Sequence, residues 1–590
     1  MILKALYDYY ERCKDALPPY QTAFVNFRYA ILIDKNGKFK GFESLGDNNG
    51  IDLLTFRPEE RTSSPIPHCL GDNGSYVLGL KEVKFGKQIN IAEEIKKNKK
   101  NYEAFIEDVK LLYCVLPDNE YVKAVYLFYQ QYNQNTIETM QKDPNWEGLC
   151  RSLNKNITFR IVGNSVLSAS DKEVIKNKID NVVNENESAL CLVTGQKAKP
   201  VNTTYSTYIN KGKSNAKLVS FQVSSGYDSY GKKMGLNAPI SEFAEFAYTT
   251  ALNHLLRTNS RNKFFIGNRT FIFWASNNNE AGRMVEDGIF SMFGFQENND
   301  DPNQKIEQVR KVFEAIYKGN LKTSLDDRFY ILGLAPNSAR IAVTYWAEIL
   351  LKDFAELINR HFLDMEIVDG RKEQKPYSGL RSILSAVTLD GKVSEVTPNL
   401  PEAVVKSIFQ GLSYPQPLFA SCMRRIRAGL DNKKWDDAYK KGWVTTRAAI
   451  IKAYLNRLKN KEQKIDIMLD KENRNQGYLC GRLFAVLERI QEISNRENDY
   501  FTNLRSNYMN SASTAPSTVL PTILNLSVHH SDKLDRKDMI LFERKKQEII
   551  NKLKGFPNHL SMDDQGRFFI GYYHQRQDFF IKSEENNNEE

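Results

Sequence analysis

Residues 24–45 read FVNFRYAILIDKNGKFKGFESL, and this stretch decides the fold class of the first part of the chain. Its β-branched and aromatic residues flank the dipeptide Asn36-Gly37, which supplies the positive φ angles that a tight hairpin turn needs. We therefore expect a β-hairpin at this position. Before it, Ile2 to Cys13 place apolar side chains at helical spacing, which predicts a short amphipathic helix at the start of the protein.

Outward from the hairpin, strand and helix patterns alternate as far as about residue 347. Strand composition recurs in residues 75–85, 157–167, 218–223, 264–274 and 329–334, and helical patterns occupy residues 90–142 and 240–256. Beyond residue 347 long amphipathic segments dominate, with apolar stripes such as Leu483, Val486, Leu487 and Ile490. The predicted fold class is α+β, with a mixed α/β N-terminal region followed by an all-α helical bundle at the C-terminus.

A chain of 590 residues exceeds the size at which one hydrophobic core stops growing, so we expect two to four packed units. The best boundary lies near residues 365–380, where the sequence GRKEQKPYSG is charged and contains glycine and proline. We predict a mixed α/β region over residues 1–365, a basic helical region over 366–467 and a C-terminal helical bundle over 468–590.

The cysteines and the apolar stretches indicate the compartment. Seven cysteines lie far apart with no CxxC pair, which fits neither a disulfide framework nor a zinc site and suits a reducing cytosol. The first ten residues, MILKALYDYY, do not resemble a signal peptide, and the charge-free stretch Asn507–Ser531 is interrupted by Pro516 and Pro521. We expect a soluble, cytoplasmic protein without contact to a membrane and without a metal or other cofactor.

The positive charge is concentrated in one segment. The formal net charge is +10, and Arg424 to Lys464 contain thirteen Lys and Arg against four Asp and Glu. Uncompensated charge at this density favours an anionic partner, and we interpret the segment as a nucleic-acid surface. Two alternatives stay open at this stage: a basic helix face that pairs with acidic partner subunits, and a face that keeps the protein in solution.

Two loops have compositions that suit DNA. The loop Gly71–Ser75 has small residues and an amide side chain, and lysines follow at positions 81, 84 and 87; a solvated strand edge is the alternative for these lysines. Residues 224–233 combine glycine, aromatic rings and adjacent lysines, which can stack bases and hold phosphate, unless they form a plain surface loop. The candidate DNA-binding residues are Asn73, Gly74, Ser75, Lys81, Lys84, Lys87, Ser225, Lys232, Lys233, Arg269, Arg424, Arg425, Arg427, Lys433, Lys434, Lys441 and Arg447.

A metal-dependent nuclease is the alternative from another functional class. Asp72, Glu82 and Lys84 have the spacing of acid, acid and lysine with which some nucleases bind Mg²⁺ and activate water. This spacing arises easily by chance, and the chain has no G-x-x-x-x-G-K-[ST] phosphate loop. The pair His529-His530 is more simply a surface pair, and no histidine with an orienting partner can be assigned to Cys191. We therefore predict no catalytic residue and no enzyme.

Several long stretches are unusual in composition. They are CLVTGQ from Cys191, SYGKKMGLNAPISEFAEFAYTTALNHLL from Ser229, RFYILGLAPNSARIA from Arg328, MLDKENRNQGYLCGRLFAVLERIQ from Met468 and GRFFIGYYHQRQDFF from Gly566. With MILKALYDYY from Met1 and SYVLG from Ser75 they span the chain from end to end. Together they resemble the large subunit of the subtype I-C CRISPR surveillance complex, Cascade. One departure is the step Ser214-Asn215-Ala216, where the family tends to have serine, glycine and alanine.

The resemblance implies a role in antiviral defence rather than a reaction. It implies a subunit at the 5′-handle end of a guide RNA complex, with backbone subunits, handle-end subunits and a small subunit as partners. Such a subunit binds target double-stranded DNA, recognises the short flanking motif (PAM), stabilises the R-loop with its displaced strand and docks a helicase-nuclease. The resemblance further implies that the C-terminal region is also made separately as a small subunit, here from an internal start at Met468.

Overall fold

The computed structural model describes residues 1–46, 49–61, 64–81, 90–181, 188–221, 228, 230–266, 268–293, 302–370, 379–458, 464–495 and 503–585. The chain forms two compact units. The first comprises Met1–Thr258 with Pro336–Ala342, and the second comprises Asn259–Ala335 with Val343–Glu590. The main boundary thus follows residue 258, whereas the sequence analysis placed its best boundary near residues 365–380. The assignment of functions to residues 1–365, 366–467 and 468–590 stays a prediction.

The first unit combines a small sheet with short helices. Its strands are β1 (Thr22–Ile33), β2 (Phe39–Ser44), β3 (Ile51–Phe56), β4 (Gly71–Asn73), β5 (Asn156–Ile161), β6 (Ala189–Leu190) and β7 (Lys197–Ala198). Its helices are α1 (Ile2–Cys13), α2 (Gly74–Val77), α3 (Ile91–Lys97), α4 (Lys99–Val115), α5 (Glu120–Gln131), α6 (Gln134–Met140), α7 (Trp146–Cys150), α8 (Lys172–Asp180) and α9 (Glu242–Leu256). The predicted first helix and the helical pattern of residues 90–142 are therefore confirmed.

Strand β1 organises the sheet of the first unit. It pairs antiparallel with β2 through Tyr29–Ile33 and with β3 through Thr22–Phe27, so β2 and β3 follow each other along one side. On the other side β5 runs parallel to β1 and pairs with it from Phe27 onward. The predicted hairpin is confirmed, and Gly37 in its turn has a φ of +78°, which a residue without Cβ adopts freely.

Two of the predicted strands are wrong. The stretch that begins at Ser75 was predicted as a strand, but Gly74–Val77 form the short helix α2, which Asn73 caps by accepting a hydrogen bond from the Ser75 N–H. Residues 82–85 of the same prediction lie outside the described residues. The described part of the stretch 218–223, residues 218–221, forms no strand. In residues 75–77 the aromatic and β-branched composition suited a buried position as well as a strand.

The second unit begins with an antiparallel sheet and continues with helices. Its strands are β8 (Lys263–Ile266), β9 (Arg269–Ala275), β10 (Arg328–Asn337) and β11 (Arg340–Leu350), in the order β11-β10-β9-β8. Its helices are α10 (Glu280–Phe293), α11 (Pro302–Tyr317), α12 (Leu351–Met365), α13 (Leu380–Ala386), α14 (Leu400–Phe409), α15 (Gln416–Ala428), α16 (Asn432–Lys440), α17 (Trp443–Arg457), α18 (Gln476–Ser494), α19 (Leu504–Thr514), α20 (Pro516–Ser531), α21 (Arg536–Ile550) and α22 (Met562–Glu585).

The predicted fold class is confirmed. Strands and helices mix in the first part of the chain, and every strand in the described residues ends at or before Leu350. The α12–α22 segment buries one continuous apolar core, to which Leu483, Leu487 and Ile490 contribute as the sequence predicts. In the part of the chain that the structure describes, no helix combines the length and the apolar character that crossing a membrane requires.

Helices α18 and α22 pack together unusually closely. A Cβ atom on Gly481 would lie 1.9 Å from the carbonyl oxygen of Phe568, and one on Gly571 would lie 2.1 Å from that of Tyr478. Because no real Cβ makes such contacts, both positions require glycine for the two backbones to approach this far. The pair forms the centre of the helical part of the second unit.

A buried ionic network lies beside this pair. The Glu488 side chain has no solvent exposure, and its carboxylate accepts hydrogen bonds from the Tyr572 hydroxyl at 2.6 Å and from Arg576 Nη1 at 2.9 Å. Arg505 Nη1 lies 3.4 Å from the same carboxylate, and its guanidinium lies 4.7 Å from the centre of the Trp435 ring. These charges are internal and join α16, α18, α19 and α22.

Candidate nucleic-acid interface

The predicted flank-reading loop is not an exposed loop. Asp72 is fully buried: its Oδ2 accepts hydrogen bonds from Arg61 and, at 2.9 Å, from the His68 N–H, and its Oδ1 accepts one from the Asn73 N–H at 2.7 Å. Asn73 Oδ1 accepts from the Ser75 N–H at 3.1 Å and from the Ser75 hydroxyl at 2.7 Å. The side chain of Asn73 is therefore used within the fold.

Gly74 and Ser75 lie inside the fold. Both residues are buried, and a Cβ atom on Gly74 would lie 2.5 Å from Leu153 Cδ2. The Ser75 hydroxyl also accepts a hydrogen bond from Asn101 Nδ2 at 3.1 Å. Their side of this turn is therefore occupied by the protein itself, and a DNA contact from either residue stays a prediction.

The remaining predictions for this region divide between exposed and undescribed positions. Lys81 is exposed. Lys84 and Lys87 lie outside the described residues, as does Glu82 of the alternative nuclease motif. Asp72 is the one residue of that motif that the structure describes, and both of its carboxylate oxygens already accept hydrogen bonds from the protein. Within the described ranges no three His, Cys, Asp or Glu side chains are grouped closely enough to hold a metal ion.

The first exposed basic surface is the turn of residues 230–233, which we call the Tyr230 turn. Tyr230 is 99% exposed with a φ of +53°, and Lys232 and Lys233 are exposed beside it. The carboxylate of Asp228 supports the turn by accepting hydrogen bonds from the Met234 N–H at 3.1 Å and from Asn237 Nδ2 at 2.9 Å. An aromatic ring and two ammonium groups therefore project together into solvent. Ser225, predicted to join them, lies outside the described residues.

Arg269, another of the predicted DNA-binding residues, belongs to the second unit. It begins β9, is only partly exposed and forms an ion pair with Glu402 at the start of α14. Glu402 also pairs with Lys406 at 2.8 Å. The positive charge of Arg269 is thus compensated inside its own unit, which the sequence spacing could not indicate.

Three of the cations in the basic segment are internal. Arg447, Lys452 and Arg457 lie on α17 with exposed fractions of 5%, 3% and 7%. Arg447 Nε donates to the carbonyl of Ala386 at 2.7 Å, and Lys452 Nζ donates to that of Asp364 at 3.0 Å. Burial lowers the pKa of Arg447 to about 10. The guanidinium of Arg447 is thus not at the surface, and its DNA contact stays a prediction.

The groups that accept hydrogen bonds from these cations all lie near the C-terminal ends of helices. Ala386 ends α13, Asp364 lies in the last turn of α12, and Arg457 Nη1 donates at 2.8 Å to the carbonyl of Ser407 near the end of α14. The last carbonyls of a helix lack intrahelical donors and carry the negative end of the helix dipole. Helix α17 thus carries cations that cap the ends of three neighbouring helices.

Six further cations of the segment form a surface that we call the α15–α16 corner; Arg425 is half-buried and the other five are exposed. Its members are Arg424, Arg425, Lys433, Lys434, Lys440 and Lys441. Arg424 Nη2 donates to the Ser421 hydroxyl at 2.8 Å, and Lys441 Nζ lies 4.7 Å from the centre of the Trp443 ring. Among the described residues none of the six forms an ion pair with a carboxylate. Arg427, also predicted, is half-buried and donates to Gln565.

Sequence reasoning missed a groove in the first unit. It has a volume of about 950 Å³ and runs along the N-terminal half of β1, residues 22–26. Tyr205, Ser206, Asn215 and Asn253 are among the residues of its other walls, and Phe24 is 57% exposed beside it. Residues 22–26 have the composition of an ordinary strand. Nothing in their sequence therefore indicates that one edge of the strand is open.

The ionisable groups around this groove are mostly neutral or paired. Arg57 Nη1 lies 3.0 Å from Glu245 Oε2, and the Arg57 guanidinium lies 4.0 Å from the centre of the Tyr205 ring. Burial lowers the pKa of His68 to about 4 and that of His254 to about 4. The imidazoles are therefore uncharged at neutral pH. Lys155 is an exposed cation of the rim, and no described carboxylate pairs with it.

Comparison with known protein families identifies the class of protein. A family model described as CRISPR-associated protein matches residues 6–580, which is nearly the whole chain. The chain belongs to this family, Cas_Csd1, and its resemblance to the large subunit of the type I-C complex is confirmed. It is thus a Cascade-type protein of a multi-subunit complex that contains guide RNA. No curated protein matches the chain.

Proposed function

We propose that this large subunit binds target double-stranded DNA within its guide RNA complex, recognises the flanking motif and holds the displaced strand. Base pairing with the guide reads the long target sequence, so the protein needs to contact only the flank and the sugar-phosphate backbone. The exchange of a DNA duplex for an RNA–DNA duplex is nearly balanced in free energy. Modest contacts from a protein subunit are therefore enough to favour the opened state.

The main support for this proposal is the charge of the α15–α16 corner. Five exposed Lys and Arg side chains and the half-buried Arg425, none with a described carboxylate partner, are concentrated on two consecutive helices and the residue that follows the second one. Holding this much like charge together destabilises a fold unless an anion neutralises it. A displaced single strand supplies regularly spaced phosphates, and Lys and Arg bind them largely without regard to sequence. We therefore assign this surface to the displaced strand.

The Tyr230 turn supports a second part of the proposal, contact with the flanking duplex. An exposed ring next to two lysines can contact bases while the ammonium groups hold the phosphates. Asp228 and Asn237 hold the turn in a defined conformation, which reduces the entropy lost on binding. In this proposal Lys232 and Lys233 position the turn on the duplex, and Tyr230 contacts the flanking base pairs.

Binding rather than catalysis is the role that we propose for this chain. The cutting is then left to a helicase-nuclease that the complex recruits, and docking this partner is part of the proposed function. The alternative nuclease predicts Mg²⁺-dependent cleavage by the purified chain, abolished by changing Asp72 to Ala. Cleavage of this kind would overturn the proposal.

The displaced-strand assignment is tested by changing the six residues of the α15–α16 corner to Gln in the assembled complex. Each lost phosphate contact should reduce the slope of log affinity against log salt by about 0.7, so the slope should fall by up to about 4. The matched control changes Lys99 and Lys110, two exposed lysines of α4 that pair with Glu103 and Glu107. An unchanged slope in the sixfold variant would contradict the assignment.

Flank recognition is tested by comparing targets that have intact and scrambled flanking motifs. We expect the complex without this subunit to lose the difference in affinity between them. A variant with Tyr230 changed to Ala should lose part of that difference. A change of Lys232 to Gln should instead lower the affinity for both targets equally. Full discrimination by the complex without the subunit would refute this part of the proposal.

An internal start at Met468 is a further part of the proposal. The segment from Met468 contains α18 and α22, whose close packing would be retained in a separate product. Expression of the gene should yield a small C-terminal product that co-purifies with the complex. Changing codon 468 to one that does not initiate translation should abolish this product, and its persistence would refute the assignment of this start.

A further inference from the structure

Among the residues that the structure describes, no strand pairs with one edge of β1 in the groove of the first unit. In an antiparallel pair, alternate residues direct their N–H and C=O groups toward the partner strand. The Arg57 N–H donates to the carbonyl of Gln21 at 2.8 Å, so the odd-numbered residues from 21 to 25 face β3. Thr22, Phe24 and Asn26 consequently direct their backbone groups to the opposite side, where the groove lies.

The open part of this edge has defined ends. At one end the Thr22 N–H donates to the carbonyl of Pro19 at 3.0 Å, and at the other Asn156 Nδ2 donates to the carbonyl of Asn26 at 3.0 Å. Strand β5 starts at Asn156, so it does not cover the residues before Phe27. Between these ends, the N–H and the C=O of Phe24 both face the groove.

This edge lacks two of the features that commonly prevent strand addition, lysine and proline. Natural edge strands carry such residues because an unprotected edge pairs with other chains. The sequence Thr22-Ala-Phe-Val-Asn26 contains no lysine and no proline, its pairing with β3 is regular, and Phe24 is 57% exposed. Such an edge is stable in a cell when a specific segment covers it.

The backbone groups along the groove favour an extended polypeptide as its ligand. Two of the arginines that line it, Arg57 and Arg61, pair with Glu245 and Asp72, while Lys155 and Arg257 lie exposed at its rim. Backbone donors and acceptors that recur at every second residue match an extended peptide. The carboxamides of Asn215 and Asn253 line the groove and can bond the other edge of such a peptide.

We propose that an extended segment of a partner protein in the complex binds in this groove and adds to β1 as an edge strand beside Phe24. The proposal goes beyond the proposed function, since it concerns a protein partner and requires no DNA contact. Backbone hydrogen bonds supply the affinity in this mode, and the pockets that flank the edge select the side chains of the segment.

Hydrogen exchange of the backbone amides tests the alternation directly. The Phe24 and Asn26 N–H groups should exchange at least about ten-fold more slowly in the complex than in the isolated chain, without DNA in either sample. The Val25 N–H, which already faces β3, should change by less than about two-fold. Uniform slowing of all three amides, no slowing, or slowing that requires target DNA would overturn the proposal.

Substitutions at Phe24 and a crosslinking probe complete the test. Phe24→Pro removes the outward N–H, while Phe24→Ala keeps it, so only the proline variant should lose the slow exchange at Asn26. A photoreactive p-benzoylphenylalanine at position 24 should crosslink to a peptide of another protein, and the same probe at position 230 should not yield that peptide. Crosslinks to nucleic acid alone, or none, would refute the proposal. DNA affinity measured on the same samples tests the proposed function separately.

Discussion

Replacing Arg457 with methionine separates the internal cations of the basic segment from its surface cations. The Arg457 side chain is 2% exposed; its Nε donates to Asp364 Oδ2 at 2.6 Å, and its Nη1 donates to the carbonyls of Ser407 and Leu412. Methionine is also long and unbranched, so it fills the space but donates no hydrogen bond. The Asp364 carboxylate is then left with Lys452 as its neighbouring cation.

The magnitude follows from the groups that lose their donor. Each buried acceptor left without a partner costs about 1–3 kcal/mol, and breaking a buried ion pair from one side costs about 3–5 kcal/mol. These contributions overlap because they involve the same guanidinium. We therefore expect the free energy of unfolding of the second unit to fall by about 4 kcal/mol.

The assay is urea denaturation of the isolated chain, followed by tryptophan fluorescence and by circular dichroism. In parallel, the salt dependence of DNA binding by the assembled complex should be unchanged for the Arg457→Met variant. Arg424→Gln is the matched surface change, and it should leave the urea midpoint unchanged while lowering the salt slope by about 0.7. An unchanged midpoint for Arg457→Met together with a lower salt slope would refute the internal placement of this arginine.

Three further predictions concern other parts of the chain. Glu488→Gln removes the charge that Arg505 and Arg576 share, and it should lower the free energy of unfolding by about 3–5 kcal/mol in the same urea assay, whereas Glu472→Gln at the surface should leave it unchanged. Burial lowers the pKa of His574 from 6.5 to about 3, so between these pH values the unfolded state binds the extra proton. Stability should therefore fall with decreasing pH by about 1.4 kcal/mol per unit, and a pH series of His574→Gln should lack this contribution. Changing Lys232 and Lys233 together to Glu should abolish binding to the flanking duplex in a mobility-shift assay, and retained binding would contradict the role of the Tyr230 turn.

The parts of the fold that were predicted from sequence are those that local chemistry determines. Asn36-Gly37 fixes a turn by its own backbone preferences, and the apolar stripe of Leu483–Ile490 fixes the buried face of a helix. The stretch from Ser75 was wrong because Tyr76 and Val77 favour burial as much as they favour a strand. Tertiary packing against α4 decides between the two, and a single sequence does not contain that information.

The placement of the basic residues was predicted in part, for a related reason. A count of charges identified the basic segment but could not separate Arg424, which is exposed, from Arg447, which caps a helix inside the unit. The helix ends that need a donor are set by how α12, α13, α14 and α17 pack. The groove along β1 was missed because an open edge is a property of strand pairing rather than of the strand itself.

The close packing of α18 and α22 has a consequence for protein synthesis. The ribosome makes the residues of α18 well before those of α22, with α19, α20 and α21 in between. Until residue 585 has emerged, the apolar face of α18 lacks the neighbour that shields it, and nascent chains expose this surface to chaperones and proteases. Completion of the second unit is therefore a late event, and chains truncated before α22 should be degraded rather than accumulate.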